Sequence, residues 1–207
     1  DFIVFDVETT GLDPKAGDRI VEIAALHCRA GESLGSFSSL INPQRDISPE
    51  AFAVNRISRE MVQDAPVSSL ILPRFLEFSQ GACLVGYNVG FDIGFLNNEL
   101  KLVDNRLGDK AEAIDVLRMS RHLLPGIAGY SLANVSRYLG ISATQKHRAS
   151  SDVEITFNVF RSLLSALKEK GLDNYYNLYN LFGFNTKVTE DINNRHLSAI
   201  QKAIDLR

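Results

Sequence analysis

The sequence predicts a mixed α/β sheet whose first part is antiparallel, and three observations carry that reading. Three apolar, β-favouring segments come first and are joined by short connections. After them, short apolar segments alternate with amphipathic ones at helical spacing, the pattern of strands followed by packed helices. Neither an internal repeat nor a low-complexity tract competes with that order, and 45% hydrophobic with 23% charged residues is the composition of a globular chain. The 207 residues suffice for one ordinary domain with a sizeable core.

Taken in order, residues Phe2 to Phe5 form a buried strand that ends in the polar break Thr9-Thr10-Gly11. Arg19 to Cys28 and Ser33 to Ile41 read as two further strands, joined through Arg29-Ala30-Gly31-Glu32 as a hairpin. Asn42 to Pro49 reads as a loop and Arg59 to Gln63 as a short helical turn. Leu70 to Phe78 has helical spacing, although Pro73 inside it argues for a break. Ala82 to Tyr87 is a strand, Phe91 to Leu102 an amphipathic helix, and Ala113 to Val116 a short strand. Ser131 caps a helix that stops at Gly140, and a long helix covers Ser150 to Leu167. Beyond Gly171, Tyr175, Leu178, Tyr179 and Phe182 recur at helical spacing, the pattern of a stripe packing on the domain. Asp191 to Leu206 reads as a last helix without a cap. The expected organisation is a domain over residues 1–170, followed by a helical extension or a linker to a further domain over 171–207.

Bulk properties narrow the function. The formal charge is −3 and the pI about 5.8, so no basic face for coating nucleic acid is advertised. A nucleic-acid enzyme of this charge is expected to grip a short stretch or an end, with metal ions supplying positive charge. Cys28 and Cys83 each sit in an apolar run and read as buried reduced thiols. No membrane-spanning stretch and no signal peptide is visible. The chain enters a strand directly after Asp1, which reads as a natural N-terminus lost upstream. The expected compartment is the cytoplasm.

Three segments carry chemistry. In Asp6-Val7-Glu8, strand periodicity projects both carboxylates to one face, at the end of a hydrophobic strand where two negative charges are disfavoured. A divalent cation with oxygen ligands would offset that cost. Asn88 to Leu96 follows an apolar strand, with Asp92 near a helix start, where capping alone would also explain an aspartate. His147-Arg148-Ala149-Ser150-Ser151-Asp152 runs from a polar loop into the first turn of a long helix. Each segment alone has a bland explanation. Together they place four acids and one histidine next to strand ends and helix starts, which a fold can bring together. Four carboxylates without metals would repel, so the set implies two divalent ions bridged by a shared aspartate, about 3.5–4 Å apart.

The three segments resemble the motifs of the DEDDh family, the DnaQ-like 3′→5′ exonucleases, which include the epsilon proofreading subunit of bacterial DNA polymerase III. The first motif stands as Phe5-Asp6-Val7-Glu8-Thr9-Thr10-Gly11-Leu12, the second as Asn88 to Leu96, and the third as His147 to Asp152. A related branch has tyrosine four residues before the last aspartate. Arg148 stands there, so the match is to the histidine branch. The segments Ile47 to Ala51 and Met61 to Pro66 also look like the family, whereas Asn55-Arg56 replaces its common His-Gly.

The resemblance implies a ribonuclease H-like fold, a mixed five-stranded sheet with helices on both faces. It implies two Mg²⁺ or Mn²⁺ ions, with Asp6 bridging them, Glu8 and Asp152 completing the first and Asp92 supporting the second. His147 would be the general base that deprotonates the attacking water. Thr9, Leu12, Asn88 and Phe95 would line the groove for the terminal nucleotide. The expected substrate is the 3′ end of nucleic acid, DNA before RNA, with a DNA polymerase or other replication protein as a partner. An RNA-trimming enzyme is the alternative within this chemistry. A silent end-binding or polymerase-docking module is the alternative from another class, disfavoured because all five catalytic positions are intact.

Overall fold

The protein was analysed as a computed structural model, which describes residues 1–108, 111–142 and 148–186. The helix expected over Asp191 to Leu206 lies outside the described residues.

Six strands form one open sheet in the order β3-β2-β1-β4-β5-β6. Strands β1 (Phe2–Thr9), β2 (Ile20–Arg29) and β3 (Glu32–Leu40) are antiparallel neighbours. Strands β4 (Cys83–Gly86) and β5 (Glu112–Asp115) continue parallel to β1 on its other side. Helices α1 (Pro49–Asn55), α2 (Arg59–Val62) and α3 (Ser68–Phe78) lie between β3 and β4, and α4 (Val89–Leu102) lies between β4 and β5. After β5 come α5 (Val116–Leu123), α6 (Leu132–Tyr138), the long α7 (Ala149–Glu169), α8 (Tyr175–Phe182) and β6 (Gly183–Asn185).

The two faces of β1 separate cleanly. Ile3, Phe5 and Val7 pack with α3 and α4, whereas Val4 packs with α7 on the opposite side. The period of two then sends Asp6 and Glu8 to the α7 face, just past the last apolar residue that covers it. The expected mixed sheet with helices on both faces is therefore present.

The expected count of five strands is corrected to six. The additional strand, β6, pairs antiparallel with β5 through Glu112 opposite Asn185 and Ala113 opposite Phe184. It belongs to the stretch after residue 170, and α8 from the same stretch buries Leu178 and Phe182 in the core cluster under α7. Pro73 does not break α3. It is exposed on the solvent side, so the Ser69 carbonyl it leaves unpaired also faces water. Cys28 and Cys83 are free and buried. No helix among the described residues is long and apolar enough to cross a membrane.

Candidate active site

Beyond Val4, strand β1 has no parallel neighbour, because the β1–β4 pairing ends at Val4 opposite Val85. The freed edge is taken over by Asp92 in the first turn of α4, whose Oδ1 accepts the Val7 N–H at 3.2 Å. This is the place where the connections from the sheet diverge, antiparallel to one side and parallel to the other. Open α/β sheets leave a crevice at such points.

From the opposite face, α7 brings Asp152 in its first turn over the end of β1. Ligand oxygens of Asp6, Glu8 and Asp152 all lie within 4.8 Å of one another, and all three residues are half-buried. Asp92 stands behind them and is only 2% exposed. The electrostatics match a site that wants positive charge. Burial raises the Asp6 carboxyl well above the ordinary carboxylate range, and Asp92, Glu8, Asp152 and Glu22 push it further. Glu8 is pushed up to about 8, first by burial and then by Asp152 and Glu22. Asp92 is also raised by burial, partly offset by the hydrogen bonds from Val7 and from its own N–H. Converging carboxylate oxygens that ionise reluctantly fit hard, oxygen-seeking divalent cations such as Mg²⁺ and Mn²⁺.

The surrounding turns are held by polar contacts. In the loop after β1, Asp18 accepts from the Thr10 hydroxyl at 3.1 Å and from the Asp13 N–H at 3.0 Å. A Cβ at Gly11 would sit 2.3 Å from the Asp18 carboxylate, so a larger residue there would displace the group that holds this loop. Leu12 is half-buried in this loop. Thr9 is buried, its hydroxyl donating to Gly11 O. Asn88 opens α4 in the left-handed region at φ 65°, and its N–H donates to Asp115 Oδ1 at 3.1 Å. Phe95 was expected at the groove. It is 1% exposed and packs against Phe91 within the core. His147 lies outside the described residues.

Three residues that spacing did not single out also belong here. Glu22, opposite Glu8 in the β1–β2 register, is 4% exposed and accepts from Arg148 and from the Ala149 N–H. Asn55 is 2% exposed, donates to Thr9 O at 3.2 Å, and its amide partly offsets the upward shift of the Glu8 carboxyl. Asp115 caps α5 while it holds Asn88. The signal available for Glu22 and Asp115 was a charge inside or ending an apolar strand, where an unpaired acid is costly.

Comparisons with known proteins bear on the family and the fold. The profile of the RNase_T family, the exonuclease family, matches residues 3–160. The chain is 36% identical over 174 residues to a DNA polymerase III PolC-type of Caldanaerobacter subterraneus, covering 83% of the chain and 12% of that protein. It is 36% identical over 168 residues to the 3′-5′ exonuclease DinG of Bacillus subtilis, covering 81% of the chain and 18% of the relative. It is also 36% identical over 178 residues to a DNA polymerase III subunit epsilon-like protein of Rhodobacter capsulatus, covering 84% and 25%. The chain thus spans between 12% and 25% of the length of these curated relatives. Among solved structures, Exonuclease X in complex with 5′ overhanging duplex DNA superimposes with a TM-score of 0.64 at 23% identity, covering 87% of this chain and 99% of that one. E. coli Exonuclease I in complex with a dT13 oligonucleotide gives a TM-score of 0.73 at 20% identity, over 82% and 42% of the two chains. At these identities the solved structures establish the ribonuclease H-like fold.

Proposed function

The chain belongs to the RNase_T exonuclease family, and from that premise we propose that it is a divalent-metal-dependent 3′→5′ exonuclease releasing nucleoside 5′-monophosphates from single-stranded DNA ends. The observation that carries the reading is the convergence of Asp6, Glu8 and Asp152 within 4.8 Å, with Asp92 buried behind them.

Asp6, Glu8 and Asp152 would hold one cation, and Asp6 with Asp92 a second. Bound divalent ions supply the positive charge that lets water ionise near neutral pH and that stabilises the departing 3′ oxygen. The chain's own groups do the rest. The Val7 N–H orients Asp92, and the Asn55 amide favours the ionised form of Glu8. His147 takes the proton from the attacking water, a task suited to an imidazole that titrates near neutrality. The water oxygen forms the new bond to phosphorus as the bond to the 3′ oxygen breaks, and the leaving oxygen gains a proton from solvent. Thr9 at the end of β1, Leu12 on the loop that follows it and Asn88 at the start of α4 would meet the terminal nucleotide.

DNA is favoured as substrate because relatives in the family carry DNA polymerase III names. For the same reason a replication or repair polymerase is the partner class proposed, in the cytoplasm. The test is hydrolysis of 3′-labelled single-stranded DNA and RNA of matched sequence, with Mg²⁺, with Mn²⁺ and with chelator. Metal-dependent release of 5′-monophosphates should vanish in Asp6→Ala and fall by about 10²–10⁴-fold in His147→Ala. Faster cleavage of RNA would replace the substrate assignment with 3′-end trimming. No cleavage of either polymer would overturn the enzyme reading for this chain and favour an end-binding or polymerase-docking module.

A further inference from the structure

Two of the three converging ligands, Asp6 and Glu8, share one strand and cannot drift apart. The third, Asp152, is on a helix 144 residues later in the chain than Glu8, so its distance from them depends on how the start of α7 is seated. The apolar contacts of α7 hold its length against the sheet, but near its first turn the contact with β2 is polar. Glu22 provides it. On β2, Ala24, Leu26 and Cys28 belong to the core cluster under α7, so the same period of two directs Glu22 to that face. Its Oε1 accepts from Arg148 Nη2 at 2.6 Å, and its Oε2 accepts from Arg148 Nε and from the Ala149 N–H, each at 3.0 Å.

This arrangement replaces a local cap. Arg148 occupies the N-cap position of α7 and makes no side-chain capping bond, so one of the orphan donors of the first turn is satisfied from β2. The connection to the ligand is then direct. The Arg148 carbonyl accepts the Asp152 N–H at 3.0 Å, so the residue clamped by Glu22 also closes the turn that carries Asp152.

We propose that Glu22 and Arg148 are a positioning pair that seats the first turn of α7 on β2 and thereby sets Asp152 against Asp6 and Glu8 for metal binding. The inference rests on the metal-site reading above. The bidentate geometry matters more than the charge, because the pair is neutral as a unit and a guanidinium fork fits a carboxylate in one orientation. Groups that orient the ligands of a metal site are typically worth about 10–100-fold in metal affinity.

The experiment is direct Mn²⁺ binding to the metal-free chain, read by electron paramagnetic resonance or calorimetry, with a thermal melt of each variant. Glu22→Gln keeps an acceptor for Ala149 but loses the ion pair. Arg148→Lys keeps the charge and loses the fork. Leu163→Ala is the control, since Leu163 is buried in α7 several turns beyond Asp152. Expected are a Mn²⁺ affinity weakened about tenfold or more in Glu22→Gln and in Arg148→Lys, and an unchanged affinity in Leu163→Ala despite its lower Tm. Wild-type affinity in a folded Glu22→Gln or Arg148→Lys variant overturns the proposal, as does equal weakening in Leu163→Ala, which would make the effect general loosening. Absence of Mn²⁺ binding by the wild-type chain would instead overturn the metal-site reading itself, and this inference with it.

Discussion

At Arg56 the chain takes φ 58° and ψ 22°, the left-handed conformation in which a Cβ is crowded, and it does so as the C-cap of α1. The family's glycine at this place removes that crowding, so the substitution found here is a local strain carried by an exposed residue. Arg56→Gly is therefore expected to stabilise the protein by about 1 kcal/mol, seen in calorimetry as a rise in Tm of about 2–4 °C. A fall in Tm would mean that the arginine side chain makes a compensating contact. The neighbouring Asn55 works in the opposite sense. Its amide satisfies Thr9 O, and its Oδ1 accepts the Ile57 N–H at 3.0 Å, so Asn55→Ala strands two buried groups. A loss of about 1–3 kcal/mol is expected in denaturant unfolding. Both residues were visible in the sequence only as a departure from a motif. That departure was legible, but its structural meaning needs the αL turn and a carbonyl 46 residues away. Glu22 was less legible still, because its partner lies 126 residues downstream and no periodicity connects a mid-strand acid to a helix start.

Most elements were legible to within a few residues because each announces itself by period and punctuation. Ser131 accepts from the Asn134 N–H as the expected cap of α6, and α7 spans Ala149–Glu169 where apolar spacing placed it. Helices α1 and α5 were not read. They have 7 and 8 residues, too few turns for a 3.6-residue period to stand out, and each is placed by a cap and by packing on the sheet. Strand β6, with 3 residues, carries no pattern at all and exists through its pairing with β5. Its junction with α8 is tight, since a Cβ on Gly183 would lie 2.4 Å from the Tyr179 carbonyl. The strand then reaches back to the site helix. Phe184 covers Gly90 in the first turn of α4, and Thr186 O accepts from Asn97 at 2.9 Å. The stretch after residue 170 thus supports the helix that carries Asp92. Phe182 is 2% exposed in the core, and Phe182→Ala is expected to cost about 3–5 kcal/mol in denaturant unfolding. A change under about 0.5 kcal/mol, the usual range for a surface position, would show that this stretch is dispensable.

For the molecule as a whole, the site couples acid chemistry to global stability, because its carboxylates come from the central strand and from helices on both faces of the sheet. Without cations, Glu8 holds its proton up to about 8 in the fold against an ordinary value of 4.5, and Asp6 and Asp92 are raised as well. A carboxyl whose pKa is raised by folding binds its proton more tightly in the folded chain than in the unfolded one. Its contribution is intact below the unfolded value, and it is lost progressively as pH climbs to the folded value. The metal-free protein is therefore expected to lose stability between about pH 4.5 and pH 8, the window set by Glu8. Chains whose carboxylates are ion-paired behave oppositely, gaining stability as pH rises to about 5 and staying level above it. Cations reverse the trend, since they bind the ionised carboxylates that burial disfavours. At a concentration 100 times the dissociation constant they add about 2.7 kcal/mol, a Tm rise of about 5–11 °C for a chain of this size. That increment should grow from about pH 6 to about pH 8, because fewer protons then have to leave for metal to enter. Asp6→Asn separates the two effects. It removes one charge from the cluster, so the metal-free variant should melt above the wild type near pH 8 while gaining little from Mn²⁺. Thermal melts of both chains across pH, with Mn²⁺ and with chelator, would check this directly. A metal-free wild type whose Tm stays flat or rises over that window would show that the four carboxylates do not repel one another as their placement requires.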